Sequence, residues 1–202
     1  MKKIALSMRV ISTLEYDEER DAIAHDWMKY LVKLGYLPIL IPNIGDEISS
    51  YLDNVNPDLI ILTGGNDIGE SEIRDYSENE IIKYSINNKI PMLGVCRGLQ
   101  MINIFFGGNI IKIENHSNTI HKINISSELE NFYSKELTVN SYHNYGIDSE
   151  CAGKELKQIA WDEEGYIESM KHEKYPIIGI MWHPERQNIK SDIHLINFLL
   201  NQ

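Results

Sequence analysis

The sequence runs from an apolar stretch, Ile90 to Val95, through Gly94-Val95-Cys96-Arg97-Gly98-Leu99-Gln100 into residues at helical spacing. A buried strand ending there must turn sharply into a helix, and glycines on both sides of the turn remove side chains that would obstruct it. This predicts an α/β arrangement with Cys96 at the carboxyl edge of a sheet. The helix N-terminus behind it favours a thiolate over a thiol. A lone cysteine is more often a small buried hydrophobe, and the flanking glycines are what point to a nucleophile. Cys151, beside Ala152 and Gly153, has no such setting and reads as structural.

The rest of the first half repeats the alternation of strand and helix. Lys3–Met8, Leu37–Ile41 and Asp58–Leu62 are candidate strands, while Ile23, Trp27, Tyr30, Leu31 and Leu34 recur at helical spacing before Gly35. Ile48 and Leu52 mark a short helix, Glu78–Asn88 a longer one, and Leu99–Phe106 continues the helix launched at Cys96 until Gly107-Gly108 stops it. Parallel strands joined by crossover helices follow from this order. In the second half, short runs at Asn109–Ile113, Leu137–Asn140, Leu156–Trp161 and Tyr166–Lys171, with turns at Gly153 and Gly165, predict antiparallel ribbons. Ile177–Trp182 reads as a further strand, and Ser191-Asp192 as the cap of a last helix through Leu200. With no internal repeat or linker, residues 1–202 are expected to form a single domain.

No apolar stretch approaches the roughly 20 residues of a membrane span, and Arg9 interrupts the N-terminal run before a signal-peptide core can form. With two cysteines and no secretory context, a disulfide framework is not expected, and a working thiol suits a reducing cytoplasm. The net charge of −11 opposes nucleic-acid binding and reads as a solvated surface. His25, His116, His121, His172 and His194 are read as surface or packing residues, with no metal site expected. Trp27 and Trp182 are assigned to the core.

Two further clusters bear on Cys96. Trp182-His183-Pro184-Glu185 offers a base, and because proline favours an extended residue before it, His183 and Glu185 are expected to share one face of an extended stretch. A carboxylate there would fix the imidazole tautomer while the other ring nitrogen faces the thiol. Thr63-Gly64-Gly65-Asn66-Asp67 follows a predicted strand on the same sheet edge, where backbone N–H groups of the loop and of Arg97 could form an oxyanion hole. Each such donor typically accounts for roughly 2.7–4 kcal/mol of barrier.

Together with Val139-Asn140-Ser141-Tyr142-His143, these motifs resemble the class I glutamine amidotransferases, specifically the stand-alone γ-glutamyl hydrolase branch, and they span almost the whole chain. The resemblance implies a flavodoxin-like α/β fold: a mostly parallel central sheet flanked by helices, with a small antiparallel β addition in the second half. It implies Cys96 as nucleophile, His183 as general acid/base, Glu185 as its orienting partner, and Gly65 and Arg97 as oxyanion donors. Gly64, Gln100 and the backbone around Ser141, Tyr142 and His143 would hold the glutamyl group, and no cofactor is implied. The expected reaction is hydrolysis of a γ-glutamyl amide through a thioester, on a small-molecule substrate and with neither nucleic acid nor membrane as partner. A homo-oligomer is compatible with the sequence.

The departures concern the leaving group. The branch often carries His-Gln where this chain has Asn144-Tyr145, and the loop after Gly64-Gly65 is short, which implies a more open site. A compact chain rich in Ile, Asn and Lys also resembles the γ-glutamyl hydrolases of bacterial capsule phosphoramidate pathways, implying γ-glutamyl-CDP-amidate as substrate and cytidine diphosphoramidate as product. A nucleotide conjugate needs cationic partners, and Arg9, just past the first strand, is the candidate on the ligand-binding edge. The alternatives are a small γ-glutamyl amine such as γ-glutamyl-GABA, a glutaminase subunit delivering ammonia to a separate synthetase, and a non-catalytic binding module, against which the intact Cys96, His183 and Glu185 weigh.

Overall fold

A computed structural model describes residues 1–13, 17–187 and 190–202, the side chains of Lys190 and Ser191 excepted. The first half comprises β1 (Lys3–Ser7), β2 (Arg9–Thr13), β3 (Glu18–Ala22), α1 (His25–Lys33), β4 (Leu37–Ile41), α2 (Ile48–Val55), β5 (Leu59–Leu62), α3 (Glu72–Asn88), β6 (Met92–Val95) and α4 (Arg97–Phe105). The second comprises β7 (Ile111–Lys112), β8 (Ser117–Ile125), β9 (Glu136–Tyr142), β10 (Tyr145–Gly146), β11 (Leu156–Asp162), β12 (Ile167–His172), β13 (Ile177–Ile180), α5 (Pro184–Gln187) and α6 (Lys190–Leu199).

One nine-stranded sheet carries the order β4-β1-β5-β6-β13-β12-β11-β8-β9. The strands from β4 to β13 pair in parallel, and from β13 to β9 the pairing is antiparallel. This is the expected α/β architecture with its antiparallel addition. The addition widens the same sheet by four strands, and β7-β10 and β2-β3 form separate two-stranded ribbons. Strands β5, β6 and β13 are buried along their whole length, which is why they read as continuous apolar runs rather than alternating ones. On one face α1 and α6 bring Trp27, Leu31, Leu195 and Leu199 against Ile4, Ile61, Val95 and Ile180. On the other, Leu52, Ile82 and Ile102 of α2, α3 and α4 cover Ala5, Ile60 and Met92. Among the described residues no helix is long and apolar enough to cross a membrane.

Several elements differ from expectation. The β2-β3 ribbon carries exposed charges along Glu18–Asp21 and shows no apolar period to read. α3 begins at Glu72 rather than Glu78, because Arg74, Ser77 and Glu78 are buried and hide the inward face behind polar residue types. β8, whose first residues are polar and exposed, was missed; only its end, at Ile123 and Ile125, is buried. The run Asn109–Ile113 contributes only Ile111–Lys112. Asp192 lies inside α6 and is buried, accepting hydrogen bonds from Tyr133 Oη (2.7 Å) and Trp182 Nε1 (3.2 Å), so it does not cap the helix; the side chain of Ser191 lies outside the described residues.

Candidate active site

The β6-to-α4 turn holds Cys96 at φ 53°, ψ −106°, a conformation L-residues rarely adopt and one that typically costs roughly 1–3 kcal/mol. Its surroundings hold it there. Cys96 N–H donates to Ile180 O (2.8 Å), and the Gln100 amide returns to Cys96 O (3.2 Å). A Cβ on Gly98 would lie 2.2 Å from Leu62 O, and one on Gly94 would meet the Gly98 carbonyl at 2.7 Å. Both glycines are therefore required by close backbone approach of α4 to β5 and β6, as the sequence pattern suggested.

β13 lies beside β6 in parallel, with Ile180 opposite Val95. The residues after each strand therefore emerge on one edge, and His183 arrives beside Cys96. Its Nδ1–H donates to Glu185 Oε1 at 2.7 Å. The sequence reading placed this pair on an extended stretch. Instead Pro184 opens α5, where proline is preorganised for the first helical position, and Glu185 folds back over His183 from the first turn. Burial opposes protonation of the imidazole, yet its contacts with Cys96 and Glu185 outweigh that and hold its pKa up at about 9. A Cβ on Gly64 would stand 2.8 Å from His183 Cε1, 3.5 Å from Nε2 and 3.6 Å from Cys96 Cβ, so Gly64 borders the gap between thiol and imidazole.

Asn140, on β9, fixes the backbone of His183. Its Nδ2 donates to His183 O (3.0 Å) and its Oδ1 accepts from His183 N–H (2.8 Å), an amide pairing that sets the backbone from which the imidazole hangs. Gln187 repeats the device one turn on, accepting from Asn140 N–H (2.6 Å) and donating to Thr138 O (3.1 Å). Asn140 belongs to the motif Val139-Asn140-Ser141-Tyr142-His143, whose resemblance implies substrate contact, and nothing in the linear order signals a partner 43 residues away.

Beneath the Gly64-Gly65 loop runs a buried ionic network. Glu78 pairs with Arg97 and, at 3.2 Å, with Arg74, and accepts from Ser7 Oγ (2.8 Å); Arg97 also pairs with Asp75. Burial would push the Glu78 carboxyl up, but the two guanidiniums and Ser7 hold it below the usual carboxylate range. Arg74 donates to the carbonyls of Thr63 (2.9 Å) and Gly64 (3.1 Å), which fixes the peptide planes of the loop. The Arg97 side chain is thus committed to α3, leaving its backbone amide at the head of α4 as the group able to serve the site. Gly65 has φ +102°, and a Cβ there would meet the Arg9 guanidinium at 2.7–3.0 Å. Arg9 therefore lies against Gly65, held by β2, whose Val10 N–H and carbonyl pair with the Asn66 side chain (2.9 and 3.0 Å).

A cavity of about 260 Å³ opens over Cys96, lined by Gly65, Asp67, Glu70, Arg97, Gln100, Tyr142 and His143 among others. Gln100 donates to Tyr145 O (2.9 Å) at its wall. The Ser141 hydroxyl is buried and donates to His116 O at 2.5 Å, so the side chain is committed away from the cavity, and the expectation for this segment concerned its backbone. Tyr142 stands edge-on to His183, ring centroids 5.6 Å apart, with the Arg186 guanidinium 4.4 Å above it. On its other side lies a second cavity, about 530 Å³, lined by Asp26, Lys29, Tyr30, Lys33, Glu185 and Arg186. Trp27 and Trp182 are buried in the core as expected, and His116 and His172, read as surface or packing residues, are buried and hydrogen-bonded to polar partners.

Comparison with known proteins agrees with this arrangement. The family model for glutamine amidotransferase class I matches residues 18–201. The chain is 34% identical to the γ-glutamyl-CDP-amidate hydrolase of Campylobacter jejuni, over 96% of this chain and 94% of that one. It is 29% identical to anthranilate synthase component 2 of Saccharolobus solfataricus, over 90% and 94%. In fold it is similar to a solved glutamine amidotransferase of Thermotoga maritima, with TM-score 0.65 at 15% identity over 99% of this chain and 84% of that one. A solved chain of Thermoplasma acidophilum gives TM-score 0.75 at 24% identity, over 100% and 93%. The strand-to-helix cysteine, the histidine delivered beside it by a neighbouring parallel strand and the near full-length family match place this chain in the class I glutamine amidotransferase family.

Proposed function

We propose that the protein hydrolyses a γ-glutamyl amide bond through a glutamyl thioester on Cys96. The observation that carries this reading is the meeting of Cys96 and His183 across Gly64, with His183 Nδ1–H committed to Glu185. The Cys96 thiolate adds to the γ-carbonyl carbon, and the oxygen's developing charge is met by the backbone N–H groups of Gly65 and Arg97. Collapse breaks the C–N bond as His183 Nε2–H gives its proton to the leaving nitrogen. Water then attacks the thioester, His183 takes its proton, and glutamate departs as the thiolate is restored. The cavity over Cys96 would take the glutamyl end, with Gln100, Tyr142 and His143 at its wall.

For the leaving group we propose a nucleotide diphosphate amidate, the kind of substrate named for the Campylobacter jejuni relative. Support comes from the cavity beyond Tyr142. In a chain of net charge −11 it gathers Lys29 and Lys33, four apart on α1, with Arg186 on α5, so that three cations line it against the carboxylates of Asp26 and Glu185. Arg9, near the same cleft, adds a fourth cation. The test is glutamate release by wild type and Cys96→Ala from glutamine, a small γ-glutamyl amine and γ-glutamyl-CDP-amidate. Wild type should prefer the nucleotide conjugate and Cys96→Ala should release none. Exchanging Lys29 and Lys33 for alanine should raise KM for the conjugate alone. Equal release by both proteins would refute the thiol mechanism, and preference for a small amine would refute the nucleotide.

A further inference from the structure

Behind the wall that carries His143, three histidines and two carboxylates converge from different strands. His116 precedes β8, His121 lies on it, His143 follows β9, Asp162 ends β11 and Glu168 sits on β12. All are buried except His121, whose side chain is 18% exposed. A carbonyl can only accept, so Nδ1 of His116, 2.8 Å from Glu114 O, and Nδ1 of His143, 3.0 Å from Tyr145 O, each carry a hydrogen. In the neutral ring Nε2 then presents a lone pair. His116 Nε2 faces Asp162 Oδ2 at 2.8 Å, His143 Nε2 faces Glu168 Oε1 at 3.7 Å, and His121 Nε2 lies 3.5 Å from that same oxygen.

Lone pairs aimed at carboxylate oxygens repel unless a proton or a metal cation lies between them; the His116–Asp162 pair at 2.8 Å has hydrogen-bond geometry, whereas the 3.5 and 3.7 Å approaches to Glu168 are longer than ordinary hydrogen bonds. The Nε2 atoms of His121 and His143 and both oxygens of Glu168 are buried without a hydrogen-bond partner. A buried carboxylate with neither oxygen bonded is among the costliest groups to leave bare. We propose that His116, His121 and Glu168 bind a divalent transition-metal ion, Zn²⁺ foremost, with His143 as fourth donor. One donor atom from each of the first three lies within 4.8 Å of the others. Bonds of about 2.0–2.1 Å require these donors to draw closer on binding. The Nδ1–H bonds to Glu114 O and Tyr145 O are the outer-sphere contacts that fix Nε2 as the ligating nitrogen. A cavity of about 130 Å³ opens beside His116 and His121, its rim carrying Asp162, Glu163 and Glu164 with Lys122.

His116 and His121 are separated by four residues, a spacing zinc ligands use. Their partners His143 and Glu168 come from strands remote in sequence, so the pair alone read as packing. The ion would tie β8 to β12 and to the end of β9, and so steady the Tyr142-His143 segment that walls the pocket over Cys96. The competing account is that the imidazoles are all protonated and pair with the carboxylates directly.

The test titrates the Cys96→Ala chain, free of the reactive thiol, with Co²⁺ and Zn²⁺. The expected result is one equivalent of Co²⁺ with tetrahedral d–d absorption and no sulfur-to-cobalt charge-transfer band, displaced by Zn²⁺, which also raises Tm. His121→Ala and Glu168→Gln, each checked for native circular dichroism, should lose more affinity than the about 10–100-fold that removing an outer-sphere partner costs. Absence of saturable binding to the folded protein would overturn the proposal in favour of protonated histidines. So would binding left unchanged in both variants.

Discussion

Gly64→Ala probes the gap between thiol and imidazole with a single methyl. Gly64 has an ordinary φ, so alanine adds no backbone strain, and the whole effect falls on what the Cβ meets. It would stand 2.8 Å from His183 Cε1, against the 3.4 Å at which ordinary contact begins, so the ring must retreat by about 0.6 Å. The ring has little freedom to do so. Its backbone is paired to Asn140 on both polar atoms, and its Nδ1–H is held by Glu185 at 2.7 Å. The retreat must stretch one of these bonds or turn Nε2 away from the sulfur. Misplacing a reacting group by about 1 Å costs on the order of 10²-fold, so the smaller shift here should lower kcat for glutamate release by about 10–30-fold. Stability should fall by no more than the about 1–3 kcal/mol of an overpacked site. Stopped-flow glutamate release gives the rate, and the low-field proton resonance of His183 Nδ1–H reports the loosened bond to Glu185. A kcat within about threefold of wild type in a folded variant would show that Gly64 does not set the Cys96–His183 geometry, and the reasoning would fail.

Two predictions concern protons. The folded-state pKa of His183, raised to about 9, means the imidazolium is retained through neutral pH; its contribution to stability is full below about 6.5, the unfolded value, and is lost as pH rises through about 9. The alkaline limb of kcat/KM should therefore lie near 9 and move downward in Glu185→Gln; a limb unmoved by that change would remove Glu185 from the assignment. Asp192 has the same sign in a lower window: burial raises its carboxyl to about 6 against the hydrogen bonds from Tyr133 and Trp182. The folded state holds that proton more tightly than the unfolded chain, so stability from this group falls as pH rises from about 4 to about 6. Asp192→Asn should remove that component and gain on the order of 2–3 kcal/mol relative to wild type above pH 6. Parallel urea-denaturation profiles for the two proteins would show the sign to be wrong.

What could be read in the sequence was whatever announced itself through apolar period or a local turn. β5, β6 and β13 were visible because strands buried on both faces are apolar throughout, and the Cys96 turn because its glycines sit within two residues of it. The pairing of His183 with Glu185 was foreseen for the wrong reason: proximity was right, while the extended geometry invoked for it is a helical turn in the structure. The supports of the site stayed hidden because they are polar residues in buried places. The first turns of α3 carry Arg74, Asp75 and Glu78, whose inward-facing charges erase the helical pattern a sequence reader counts. Asn140 and the His116, His121, His143 and Glu168 cluster join strands that only the sheet order makes neighbours.

The sheet order also explains why the site lies where it does. β13 is the last strand of the parallel half and the first neighbour of the antiparallel half. Its parallel pairing with β6 brings His183 out at the edge where Cys96 emerges, while the antiparallel strands carry Asn140 of β9 back to clamp His183 from the opposite side. Cys96 at φ 53° is thus held between two independent supports, the Glu78 ion network under the Gly64 loop and the Asn140 amide pair on the backbone of His183. A buried ion pair is weak as a source of stability, because desolvation cancels most of its attraction. Removing one member, however, strands a charge. The Glu78 network therefore makes alternative placements of Arg97 and the Gly64-Gly65 loop costly more than it makes the fold stable. A cysteine proposed to act as nucleophile from a strained backbone needs that kind of support, since in the proposed reaction its neighbours must stay in place while the bond to carbon forms and breaks.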